Sequence, residues 1–217
     1  MPVAATSVRE RRSYTRKEHY ADAAIHILGV MFALAAGPWL LSRVSGPSVV
    51  AGVAVYCAGL FAMVVASAAY NLAPVGRAKD VLRRFDHAAI FVMIAATYTP
   101  FALNRMGYPV GGIILVTIWA AALAGIGLKL FFPHQFERVS IIFYLAMGWL
   151  ILIAIRPLAD ALAPTGLWLL LGGGAVYTAG VAFYVIERIP YHKAIRHGFV
   201  LGAAMLHFAA VAHAFAR

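Results

Sequence analysis

The chain has 217 residues, 63% of them hydrophobic and 12% charged, with a formal net charge of +10. Soluble domains carry roughly 45–50% apolar and about 25% charged residues, so a mean hydropathy of +0.84 excludes a water-soluble enzyme. A single cysteine, Cys57, excludes intramolecular disulfides and cysteine-rich metal clusters and leaves histidine and carboxylate as the available metal ligands.

Seven apolar stretches follow one another, at 23–41, 49–69, 88–103, 110–132, 139–155, 167–186 and 198–215. A crossing needs about 20 apolar residues, so each stretch is expected to form one transmembrane helix. The fold expected is an all-α integral membrane bundle, with residues 1–21 as a basic tail and 22–217 as the transmembrane domain. Breakers separate the stretches at Ser45-Gly-Pro47, Ala73-Pro74, Gly107-Tyr-Pro109, Phe132-Pro133, Ala163-Pro164 and Ile189-Pro190. Pro100, inside the third stretch, predicts a kink there. The first stretch is longer than the apolar core of a signal peptide and no A-x-A site follows it, so it is expected to stay in the mature protein.

The basic residues set the expected orientation. Fourteen of the 18 fall in the tail and the second, fourth and sixth connections (Arg9, Arg11, Arg12, Arg16, Lys17, Arg77, Lys79, Arg83, Arg84, Lys129, Arg138, Arg188, Lys193 and Arg196), against Arg43, Arg105, Arg156 and Arg217 on the other face. The positive-inside rule places the N-terminus in the cytoplasm and, after seven crossings, the C-terminus outside. Basic residues spread between apolar runs, without a stripe of interleaved aromatics, do not suggest nucleic acid; membrane lipids are the partners implied. Small residues at four-residue spacing, Gly29, Ala33 and Gly37, then Ala54, Ala58, Ala62 and Ala66, predict close helix packing.

Ionisable side chains at membrane depth are costly and mark function by default. They gather at one set of helix ends: Glu18, Asp22 and His26 open the first helix, Ser67, Tyr70 and Asn71 close the second, Asp86 and His87 open the third, and Lys193, Arg196 and His197 open the seventh. Glu18, Asp22 and His26 recur every fourth residue and so share one helix side. Glu18 and Asp22 suit either helix capping or a pocket, and Asp86 either an N-cap or water activation. His207, about 15 Å beyond His197 along the seventh helix, is expected at the bundle midplane as a satisfied core histidine. His19, His134 and His213 read as interfacial.

Several blocks together resemble the hemolysin III family, the bacterial branch of the progestin and adipoQ receptor superfamily, related to alkaline ceramidases. They are Glu18 with His26 and Gly29, Ser67-Ala-Ala-Tyr70, Arg84-Phe-Asp86-His87 with Tyr98-Thr-Pro100-Phe101, Tyr144-Leu-Ala-Met-Gly148-Trp149, Gly173-Gly-Ala-Val-Tyr177-Thr-Ala-Gly180 and His197-Gly-Phe199-Val200. The resemblance implies a seven-helix bundle of the bacterial inner membrane with a zinc ion near the cytoplasmic helix ends, held by one histidine ending the second helix and two opening the seventh. A serine and an aspartate accompany the metal water; they fall on Ser67 and Asp86, and one ligand falls on His197. The other two positions hold Asn71 and Lys193, with His192 displaced by one. A carboxamide is a poor zinc ligand and an ammonium repels the ion. His192 and His197 are five residues apart, about 140° on one helix, so both reach one ion only if the helix begins between them after Pro190. His26 and His87 offer another ligand set, and Lys193 offers a charge for Asp86 in place of a metal.

Two functions follow as expectations: a metal-dependent hydrolase of a lipid or amide, with Ser67 and Asp86 catalytic and His197 and His192 as ligands, or a non-enzymatic pore, sensor or receptor-like protein with a metal-free polar core. Glu18, Asp22, His26, Asn71, His87 and Lys193 complete the expected pocket.

Overall fold

The structure, a computed structural model, describes residues 15–132, 135–185 and 189–217. Arg9, Arg11, Arg12, Pro133, His134, Ile186 and Arg188, used above, lie outside the described residues. The described chain is helical: α1 (Arg16–Ser42), α2 (Pro47–Leu72), α3 (Arg77–Asn104), α4 (Val110–Phe131), α5 (Glu137–Trp149), a 3₁₀ segment (Leu150–Ala154), α6 (Ile155–Ala161), α7 (Pro164–Val185) and α8 (His192–Phe215). With α5, the 3₁₀ segment and α6 as one span, seven helical spans are long and apolar enough to cross a membrane, the all-α seven-span bundle expected. Pro47 and Pro164 each occupy the first position of their helix, where the missing N–H costs nothing.

Two helices start earlier than hydropathy suggests. α1 begins at Arg16, so residues 16–21 are already helical, and α3 begins at Arg77, eleven residues before its apolar stretch. Asp86 therefore sits more than two turns inside α3 and is not its N-cap, because the polar turns preceding it extend the same helix. α3 runs unbroken through Pro100 and is the most deeply buried span. It packs on α2, α4 and α5, while α1 packs on α2 and α8, and α7 on α8.

Without a hydrophobic drive between helices in lipid, contact depends on shape and hydrogen bonds. A Cβ at Gly59 would stand 2.5 Å from the Cβ of Ala96, which sets the α2–α3 approach. On α1 the small-residue stripe packs as expected: Gly29 faces Val64 and Leu201, and Gly37 faces Cys57. The stripe on α2 does not, since Ala58 and Ala62 are exposed. Glycine at 52 and 59, one helix face away, makes the contact instead.

The fifth span is not one regular helix. Its 3₁₀ segment frees backbone groups that lipid cannot satisfy, and Tyr98 of α3 serves them: its hydroxyl accepts from Ile151 N at 2.8 Å and lies 2.8 Å and 3.0 Å from the carbonyls of Met147 and Gly148. At the end of the bundle where α1 finishes, Arg217 N donates to Arg43 O at 3.0 Å. Nearby, the Arg105 guanidinium donates to Ala214 O and covers the Phe215 ring.

Candidate functional site

The N-terminus of α1 is built as a capping box. Thr15 Oγ1 accepts from Glu18 N at 3.3 Å, and Glu18 Oε2 accepts from Thr15 N at 2.9 Å. The second oxygen, Oε1, accepts from Tyr191 N at 2.9 Å, where the chain turns through a left-handed residue (φ 60°) into α8. Glu18 thus works as cap and tie between the first and last spans. One and two turns deeper on the same side stand Asp22 and His26, both buried.

The tie brings His197 of α8 against them. His197 Nδ1 lies 2.6 Å from Asp22 Oδ1, His26 Nε2 lies 3.7 Å from Asp22 Oδ2, and the two imidazole centroids are 4.5 Å apart. On the far edge of His197, a nitrogen of the Arg196 guanidinium is 3.1 Å from Nε2. A guanidinium only donates, so Nε2 accepts and Nδ1–H donates to Asp22: the two partners select one neutral tautomer. His26 Nε2 is buried and has no hydrogen-bond partner among the described residues.

Beside this group, a cavity of about 280 Å³ is lined at its polar end by His26, Ser67, Asp86, His87, Glu137, Arg196 and His197. Ser67 interacts with the Asp86 carboxylate, which also lies within reach of the Arg196 and Arg83 charges. The rest of the lining is largely apolar, from Ile25, Met63 and Val64 to Tyr144, Trp149 and Tyr177, with His207 at the deeper end. His207 Nε2 is satisfied by Leu170 O at 3.1 Å.

Not all of the remaining expected residues reach the cavity. Asn71 does not line the cavity: its side-chain nitrogen donates to Ser67 O at 2.9 Å, and Lys79 caps the helix end through Ala73 O at 2.8 Å and Asn71 O at 3.4 Å. His87 lines the cavity, and its carbonyl accepts from the Tyr144 hydroxyl at 2.9 Å. α8 starts at His192, not between His192 and His197, so those rings diverge as a continuous helix requires. Among the described residues, the donor group that gathers is Asp22, His26 and His197, with ligating atoms all within 4.8 Å of one another; His192 is buried outside it, and Lys193 does not line the cavity. Glu137 and Arg196 enter the site although neither is assigned to the pocket by the sequence reading, which names Arg196 only among the polar groups that open the last span. Glu137 is set by an ion cluster, 2.9 Å from Arg83 and 3.5 Å from the buried Lys129.

Two imidazoles and a carboxylate are the donors of three-ligand zinc sites that keep a position open for water. The side chains present fit a metal by donor chemistry, and the orphaned His26 Nε2 suits a ligand, whereas the positions of Asn71 and Lys193 do not.

A helical bundle of seven apolar spans enclosing a cavity polar at one end is the architecture of a multi-pass membrane protein. Within that class the chain belongs to the haemolysin-III related family, whose sequence model matches residues 14–208. It is similar to the hemolysin-3 homolog of Bacillus subtilis (36% identical over 198 residues, 90% of this chain and 93% of the relative) and to hemolysin-3 of Bacillus cereus (36% over 195 residues, 88% and 89%). It is also similar to the human monocyte to macrophage differentiation factor, 29% identical over 165 residues, 72% of this chain and 67% of the relative. No solved structure matches.

Proposed function

We propose that the chain is a bacterial inner-membrane hydrolase of a lipid amide or ester, with its N-terminus and polar cavity end at the cytoplasmic face and a zinc ion held by Asp22, His26 and His197. The observation that carries the reading is that two of these donors, His26 and His197, line the same cavity as Ser67 and Asp86, with Asp22 directly behind them. A bound zinc would lower the pKa of water so that hydroxide is available at neutral pH. Asp86 accepts the proton of the attacking water on its carboxylate and returns it to the leaving amine or alkoxide, and Ser67 orients that water by hydrogen bonding. Arg196 stands where negative charge develops on the scissile carbonyl oxygen. The apolar length of the cavity holds an acyl chain and excludes bulk water.

Elemental analysis of purified, chelator-washed protein tests the reading. About one zinc per chain is expected, lost in His26→Ala and His197→Ala. Reporter fusions after Lys17 and after Arg217 should report opposite sides, with the first in the cytoplasm.

A second reading is favoured by the Arg196–His197–Asp22 hydrogen bonds: a metal-free polar core in a non-enzymatic sensor or receptor-like protein. A guanidinium already seated on His197 Nε2 repels a cation arriving there. Metal-free wild-type protein with unchanged stability after chelation would establish this reading and sink the first.

A further inference from the structure

The deeper end of the cavity holds polar groups that hydrolysis at the other end does not use. Tyr177 lines it on α7, and its ring lies 5.5 Å from that of His207 on α8. Tyr56 of α2, fully buried, stands near Tyr177. Both phenol hydroxyls are buried and neither has a hydrogen-bond partner among the described residues. This is unusual within the same cavity wall, where Trp149 Nε1 donates to Thr178 Oγ1 at 3.1 Å and His207 is bonded to Leu170.

An unsatisfied hydroxyl at membrane depth is costly, because lipid offers no replacement. Phenylalanine would fill the same volume without that cost. The hydroxyl at 177 is thus explained by something in the cavity that bonds it. Close packing fixes the subsite: a Cβ at Gly173 would stand 2.4 Å from the His207 ring, so the absence of a side chain there seats the imidazole beside Tyr177.

We propose that Tyr177, backed by Tyr56 and His207, is a second polar subsite that recognises an oxygen far along the chain of an amphiphile whose anionic or carbonyl head lies at Arg196 and His197. Ten residues of α8 separate His197 from His207, about 15 Å at 1.5 Å per residue, the extended length of about a dozen methylenes. The ligand class is therefore an acyl chain oxygenated near its distal end, bound more tightly than the plain chain. This names the ligand of the cavity assigned to hydrolysis above and rests on that cavity binding a lipid, but not on metal or turnover.

Binding of 12-hydroxydodecanoate and dodecanoate to the detergent-solubilised full chain tests it, by displacement of a fluorescent fatty acid. The ratio of the two affinities in wild type, divided by the same ratio in Tyr177→Phe, cancels unequal partitioning into micelles. A net preference of about tenfold for the hydroxylated acid is expected, the value of one buried hydrogen bond, abolished in Tyr177→Phe with dodecanoate binding retained. Equal ratios in the two proteins, or no binding of either acid, would overturn the proposal; the first result is also what hydroxyls bonded only to water would give. A zinc-free protein that keeps the preference would defeat the hydrolase and leave this subsite standing.

Discussion

Glu18 on α1 accepts the backbone N–H of Tyr191 at 2.9 Å across 173 positions of chain. The same carboxylate closes the capping box with Thr15. Removing it in Glu18→Ala takes away a cap and a charge-assisted bond, about 3 kcal/mol together, whereas Thr15→Ala should cost about 1 kcal/mol. Thermal unfolding of the two variants in one detergent gives the comparison, and equal losses would mean that the bond to Tyr191 contributes nothing.

Lys129 and Glu137 form a pair in which the lysine is 2% exposed and the carboxylate is shared with Arg83. Glu137→Gln leaves a buried ammonium without its counter-charge, so a loss of about 3–5 kcal/mol is expected. Adding Lys129→Met should recover most of it. Failure of the double variant to exceed the single one in unfolding midpoint would show that Lys129 does not depend on Glu137.

Much of this architecture is legible in the sequence, because a span declares itself by apolar length alone and each of the seven does so. Helix starts are less legible where polar turns precede the apolar part, as at Arg77, and that is why Asp86 looks like a cap and stands inside a helix. The polar cluster can be located at one set of helix ends, but not its pairings. Asp22 meets His197 over 175 positions, and which turn of α8 faces α1 depends on where that helix begins, after Tyr191. The fate of Lys129 is hidden for a related reason: counted with interfacial charges, it is buried and paired with Glu137 of α5.

Tyr98→Phe should loosen the fifth span locally. Its hydroxyl holds Ile151 N and faces two carbonyls of the same irregular turn, so the loss is about 1–3 kcal/mol. Hydrogen exchange followed by mass spectrometry should show faster exchange around Ile151 and no change in α2; uniform behaviour of the two would contradict the role given to Tyr98.

Gly59→Ala should weaken the α2–α3 seam by about 1–3 kcal/mol, since the added methyl meets the fixed Cβ of Ala96. Gly112→Ala, which meets nothing within 4 Å, should instead stabilise by about 0.5–1 kcal/mol through helix propensity. Opposite signs in parallel melts are the expected result.

The meeting of α1 with α8 also orders events during synthesis. Asp22 and His26 leave the ribosome with the first span, and His197 with the last. Both ends of that seam close late, through Tyr191 on one face and through Arg217 N on Arg43 O on the other. A nascent chain therefore carries only two of the three donors until α8 emerges. Premature termination anywhere before α8 yields helices with no complete donor group, so every unfinished product lacks the third donor.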